Sequence, residues 1–269
     1  DPQQNIIDFL ADFTAETTPF SAAKVDDFRE ILRPGTTVFI TFLPGSDFED
    51  TIAIAARLKK EGLNPVPHLA ARSIPDAAFL DEGLRRLRGE ADIDEVLTIA
   101  GAVDQPLGAF SDSMQVLETG LLDKHGIKRV GVAGHPEGSP DMPDEAIAAA
   151  LTWKNDFANR SGADVYIVTQ FCFEAEPIIA WDKAIRAAGN AWPIRIGVPG
   201  LATIKTLLNY AKACGIGNSM MFLKKQARNV AKLMNVSAPD KLLVDLANYK
   251  ATDPDCGLIG CHMYPLGGV

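Results

Sequence analysis

The residue types best suited to chemistry in this chain are an acid, an amide and three histidines, each in or just after a short β-rich run. Glu16 sits in the alternating segment 12–19 (DFTAETTP), near the end of the run. A carboxyl group there faces a site mouth and is partly desolvated, which raises its pKa and suits it to general-acid work; a solvated loop acid or a helix cap is the alternative. His68 follows Pro65-Val66-Pro67, His135 follows Gly131-Val132-Ala133-Gly134 in the same manner, and His262 lies inside the last run. Three such histidines suggest a metal-dependent hydrolase, but hydrolases of that kind open with a His-x-His pair on the first strand and this chain has none. His135 and Glu137 mimic the first half of a zinc deaminase signature, yet no Pro-Cys-x-x-Cys follows, so no metal site is expected. The sixth and seventh runs offer no lysine for a Schiff base, and the glycine-rich stretch 131–138 matches neither a phosphate loop nor a dinucleotide turn. Gln170 can both donate and accept, which suits the edge of a planar heterocycle; a bond to a neighbouring loop would use it equally well.

These residues must be positioned by a regular scaffold, and the hydrophobic pattern supplies one. Strands are expected at Asp12–Thr17, Thr37–Phe42, Pro65–Leu69, Glu95–Ala100, Arg129–Gly134, Val165–Gln170, Ile194–Val198 and Leu258–Tyr264. Helical patterns fall near 20–33, 47–61, 75–89, 112–124, 143–160, 175–188 and 202–214, with a further helical block over 217–248. Eight alternations of strand and helix predict a parallel sheet closed into a single (β/α)8 TIM barrel over residues 1–269. An open doubly wound sheet would carry glycines in its first turn, and the turn after the first strand has none. The chain given ends five residues after the last strand, leaving little room for a last barrel helix. Barrel active sites lie at the carboxyl ends of the strands, so Glu16, Thr41, His68, Gly101, His135, Gln170 and Pro199 form a list of candidates.

Composition narrows the function classes. A formal charge of −9 with no lysine–arginine run argues against a nucleic-acid surface. No apolar run approaches the ~20 residues of a membrane span, and no signal-peptide pattern opens the chain. Cys172, Cys214, Cys256 and Cys261 form no Cys-x-x-Cys pair, so reduced, mostly buried thiols in a cytoplasmic protein are expected.

Taken in order, several strand ends resemble the methylenetetrahydrofolate reductase family over nearly the whole chain. Residues 129–141 (RVGVAGHPEGSPD) are similar to its fifth-strand motif, 66–71 (VPHLAA) to its third strand and 162–173 (GADVYIVTQFCF) to its sixth. Residues 14–19 (TAETTP) and 262–266 (HMYPL) are looser matches to the first and last. The resemblance implies a barrel that binds FAD and, with NADH or NADPH, interconverts 5,10-methylenetetrahydrofolate and 5-methyltetrahydrofolate. By resemblance, Glu16 is the acid that protonates the bridging nitrogen so that an iminium forms. Gln170 and Tyr210 contact the folate, and Thr41, His68, Gly101, Ala102, Ala133 and His135 line the flavin. The chain departs from the pattern at Ala102, where the family has an acid; Asp104, two residues on, is the nearest substitute. The family's flavin-phosphate lysine falls at about Ala158, and a family histidine falls at Ser139. Three alternatives stay open at this stage: direct hydride transfer from NAD(P)H without flavin, a folate-binding barrel without redox activity, and methyl transfer. The expected partner is a folate, with neither nucleic acid nor membrane, and a homo-oligomer is left open.

Overall fold

The computed structural model describes residues 1–139, 142–214 and 236–265. Eight strands form a closed parallel barrel: β1 Thr14–Thr17, β2 Thr37–Ile40, β3 Asn64–Ala70, β4 Glu95–Ile99, β5 Arg129–Gly134, β6 Asp164–Phe171, β7 Ile194–Pro199 and β8 Leu258–Tyr264. Each strand neighbours its predecessor and successor, and β8 closes on β1. The eight expected strands are all present, with ends shifted by at most two residues. Such runs are rich in Val, Ile and Thr, whose branched side chains pack well on a pleated surface.

The helices follow the expectation less closely. They are α1 Pro2–Leu10, α2 Pro19–Ala22, α3 Phe48–Lys60, α4 Ala77–Ala91, α5 Ser113–Glu118, α6 Leu121–Lys124, α7 Asp144–Ser161, α8 Ala175–Ala187, α9 Ile204–Cys214 and α10 Asp240–Thr252. The helix expected over 20–33 is only the single turn α2 followed by a 3-10 turn at Phe28–Glu30. Thr18 and Ser21 form a capping box that starts α2. Arg57, from α3, then takes the carbonyl oxygens of Ala22 (2.8 Å) and Val25 (2.5 Å), which diverts acceptors that a longer helix would use. The helix expected over 112–124 breaks into α5 and α6 at Gly120, whose φ of +71° belongs to the left-handed region. Most of the helical block expected over 217–248 lies outside the described residues; α10 is the part of it that is seen.

Two compact units divide the contacts. The first holds Thr14–Ala133 and Asp156–Tyr166. Here Val38, Ile40, Val66 and Val96 line the strands, and Leu58, Leu84 and Leu87 are buried on α3 and α4. Burying each of those leucines contributes roughly 1.5–3 kcal/mol. The second unit holds Asp1–Phe13, Gly134–Asn155 and the chain from Ile167 onward. Within it α1 packs on α10, and Asn5 donates to Asn248 across that contact (3.2 Å).

Candidate active site

In the first unit the site begins with Glu16 on β1 and His68 on β3. Ladder register sets Glu16 level with Phe39, and Phe39 level with Val66, so His68 stands two residues further along β3 on the same face as Val66. The two side chains meet: His68 Nε2 lies 3.0 Å from Glu16 Oε1, with only 7% and 12% of the side chains exposed. That distance is an ion-pair contact, but the ring is turned so that neither nitrogen makes a hydrogen bond of regular geometry among the described residues. Phe39 packs edge-on against the imidazole at 6.2 Å between centroids. Across the start of α2, the hydroxyls of Thr17, at the end of β1, and Ser21, within the helix, lie 3.0 Å apart.

Thr41 directly follows β2, with its amide bonded to the Thr17 carbonyl (2.9 Å). After β4 the chain enters an irregular loop that opens with Gly101 at φ +97°, where a Cβ would stand 3.3 Å from the Ala70 Cβ. Glycine therefore leaves bare backbone at the end of β4. Arg72 pins this loop: its guanidinium donates to the carbonyls of Ser111 (2.9 Å) and Val103 (3.2 Å), and its own carbonyl accepts from the Leu107 amide. Ala102 and Asp104 are both exposed in that loop. Ala133 is half-buried near the end of β5.

The second unit carries the other candidates. His135 directly follows β5 in the turn HisProGluGly, whose Gly138 amide returns to the His135 carbonyl (3.1 Å). Burial, and then the nearby Lys154 ammonium, hold the His135 pKa below its usual 6.5. Lys154 is itself buried on α7, one helical turn before Ala158 and so on the same helix face. Burial, reinforced by the Glu137 charge, pushes the Cys172 thiol far up, so this cysteine is inert rather than nucleophilic.

Gln170 owes its position to a bulge. The register runs Val168↔Arg195 and then Phe171↔Gly197, which inserts one extra residue on β6. Thr169 ties the bulge to β7, its hydroxyl accepting from the Gly197 amide (2.9 Å), and Tyr264 of β8 donates to the Thr169 carbonyl (2.9 Å). Bulges of this kind re-aim a side chain near an active site. Beyond it, Phe171 meets Phe173 and Tyr264, and Tyr264 meets His262 edge-on at 4.7 Å. Tyr210 lies on α9, and its side chain falls outside the described residues. A separate open cavity of about 640 Å3, lined by Arg186, Asn190, Trp192 and Asp253 among others, sits at the amino ends of β7 and β8 and so away from these groups.

Glu16 and His68 are thus brought into contact, whereas Asp104 makes no bond among those described and stands exposed. Among the described residues no cluster of three or more His, Cys, Asp or Glu could hold a metal ion. Sequence reasoning missed Arg72 and Lys154. Arg72 was detectable as a cation just beyond a strand end, but Lys154 lies mid-helix, where nothing in its spacing marks it as buried.

These features define a parallel α/β barrel with a half-buried acid beside a buried imidazole, and a bulge-presented amide, in the carboxyl halves of its strands. The profile of the family described as methylenetetrahydrofolate reductase matches residues 24–223, and the chain belongs to that family. Methylenetetrahydrofolate reductase 2 of Saccharomyces cerevisiae is 30% identical over 161 residues, 56% of this chain and 26% of that protein. Methylenetetrahydrofolate reductase 1 of Schizosaccharomyces pombe is 36% identical over 107 residues, 39% of this chain and 16% of that protein. The matched part is therefore about a quarter or less of these curated relatives' own length. Among solved structures, an uncharacterized protein from Clostridium thermocellum that binds two copies of 5-methyl-5,6,7,8-tetrahydrofolic acid superposes with a TM-score of 0.58 at 14% identity. The likeness covers 98% of this chain and 92% of that one, and it bears on the fold.

Proposed function

We propose that the chain interconverts 5,10-methylenetetrahydrofolate and 5-methyltetrahydrofolate with NADH or NADPH and FAD, and that Glu16 is its general acid. The observation that carries this reading is a carboxyl group, 12% exposed and paired with an imidazole, on the first strand of a barrel of this family. A carboxyl so placed can give a proton to the bridging nitrogen of a folate, opening the ring to an iminium. Gln170 reads the pterin edge, and Tyr210 and Asp104 complete the folate contacts. The site favours neither direction, because one transition state serves both.

The residues present fit a flavin. Gly101 offers bare backbone at the end of β4, and His68 carries buried ring nitrogens without regular hydrogen bonds among the described residues. Thr41, His68, Gly101, Ala102, Ala133 and His135 would hold FAD, which supplies reversible two-electron hydride storage when bound. Lys154 offers a buried cation one helical turn from the position where the family places its phosphate-binding lysine. A second reading, direct hydride transfer from NAD(P)H, is favoured by one observation: Ala102 is exposed and uncharged where the family has an acid. Folate binding without redox chemistry would leave the acid unused and is the weaker choice. A cytoplasmic setting suits the buried, unpaired Cys172 and Cys261.

Visible spectra of the purified protein, taken before and after anaerobic addition of 5-methyltetrahydrofolate, test this. Flavin bands that bleach support the main reading. A colourless protein that still oxidises NADH with methylenetetrahydrofolate selects the flavin-free route. Replacing Glu16 with Gln is expected to lower folate turnover ~10²- to 10⁴-fold and to spare reduction of the flavin by NADH. Unchanged folate turnover in Glu16→Gln sinks the acid role.

A further inference from the structure

We propose that Tyr264 of β8 is a positioning residue for Gln170, its hydroxyl holding the β6 bulge in the shape that presents the Gln170 amide to a ligand. The extra residue takes backbone groups of the bulge out of the regular ladder, and side-chain hydroxyls meet two of them. Tyr264 donates to the Thr169 carbonyl (2.9 Å). The Thr169 hydroxyl donates in turn to the Gln170 carbonyl (2.8 Å) while accepting from the Gly197 amide (2.9 Å). The Cys172 thiol adds a weaker bond to the same Gln170 carbonyl (3.6 Å), and the Cys172 amide donates to the Gly197 carbonyl (3.2 Å). The backbone is therefore tied down on both sides of Gln170.

The side chain is treated differently. Gln170 is half-buried, and its amide makes no hydrogen bond among the described residues, so the bond to a neighbouring loop that would otherwise occupy it is not made there. A fixed backbone beneath an unengaged donor and acceptor is what a recognition group needs, because little freedom is lost when a ligand edge arrives. The Tyr264 ring is itself held from two directions, edge-on to His262 at 4.7 Å and to Phe171 at 5.7 Å, so its hydroxyl starts from a fixed place. Gly197 completes the clasp: a Cβ there would stand 2.6 Å from Tyr264 Cε2 and 2.9 Å from the Gln170 carbonyl carbon, so only glycine lets β7 come this close. All of these residues lie in one compact unit. The hydroxyl proton of Tyr264 is spent on Thr169, so the tyrosine acts on a ligand through Gln170.

This role rests on the reading of Gln170 as a folate contact, but the clasp itself is testable without folate. Hydrogen exchange of the Gly197 amide, followed by NMR in the full chain, reads the bulge directly. Tyr264→Phe keeps the ring and removes only the hydroxyl, and it is expected to speed that exchange about 10-fold or more. Binding of 5-methyltetrahydrofolate, measured by calorimetry, should weaken about 10-fold in Tyr264→Phe and in Gln170→Ala, and no further when the two are combined. A tyrosine that merely stabilises the barrel would not show that loss of additivity. Thr169→Val removes the next hydroxyl along and should behave like Tyr264→Phe in both measurements, which keeps the test decisive if the Phe variant does not fold; Thr169→Ser restores the hydroxyl and should restore binding. A Gly197 amide that exchanges at the wild-type rate in Tyr264→Phe, or losses of affinity that multiply in the double variant, overturns the proposal. Faster exchange in a protein that binds no folate even as wild type would leave the clasp intact and remove the proposed reaction instead.

Discussion

Gly197 shows how tightly single residues are specified around the site. A Cβ there would stand 2.5 Å from the Thr169 carbonyl oxygen and 2.6 Å from Tyr264 Cε2, so even a methyl group displaces the bulge that carries Gln170. Gly197→Ala is expected to cost about 1–3 kcal/mol, read as a lower urea midpoint, and to raise KM for folate more than KM for NADH. Glu16 and His68 were both legible in the sequence as strand-end residues, since polar side chains that interrupt apolar runs stand out. Their contact was not. The resemblance assigned His68 to the flavin, and only the register of β1, β2 and β3 shows that its ring reaches Glu16 across an intervening strand. Non-local pairing of this sort leaves no trace in spacing along the chain.

At the level of elements, strands were easier to read than helices. β-rich runs bounded by proline and glycine announce themselves, but α2 is cut short by Arg57, a side chain from another element that no local pattern reveals. The bulge in β6 was equally hidden, because Thr169 and Gln170 continue the run without a break. Asp182 shows what fastens neighbouring elements together. Wholly buried on α8, it accepts from Arg186 (3.0 Å), from Tyr249 of α10 (2.6 Å) and from the Gly257 amide ahead of β8 (3.3 Å). Asp182→Ala should therefore destabilise the protein toward the lower end of about 3–5 kcal/mol, since Arg186 keeps some solvent. Chemical denaturation followed by circular dichroism measures this, and a loss below ~1 kcal/mol would show that the three donors find other partners.

For the molecule as a whole, eight alternations of strand and helix predicted a parallel sheet, and the turn after the first strand, with no glycine, favoured closure into a barrel over an open doubly wound sheet. Charge sets its pH response. His135 has a folded pKa held below 6.5 by burial and by Lys154, so the unfolded chain takes up its proton first and stability falls as pH drops below about 6.5. Asp81 is held low, first by its hydrogen bond from His125 (2.5 Å) and then by Lys124, so its contribution is present at neutral pH and is lost as pH falls below about 4. Urea midpoints are therefore expected to fall in two stages between pH 7.5 and about pH 2, one below about 6.5 and one below about 4. Replacing His135 with Gln should flatten the upper stage and leave the lower one in place. A midpoint that stays constant from pH 7.5 to 5.5 in the wild type would remove the assignment of His135.

The extra residue in β6 has a consequence for anyone wishing to rebuild the barrel. Up to Val168 the strand keeps one frame of alternation, and from Phe171 it keeps another, offset by a single position against β7. A mutagenesis library that picks every second codon along this strand would randomise the intended face before the offset and the wrong one after it. Grafting β6 into another barrel would need its β7 partner as well, with Gly197 kept opposite Thr169, for Gln170 to arrive where it now stands.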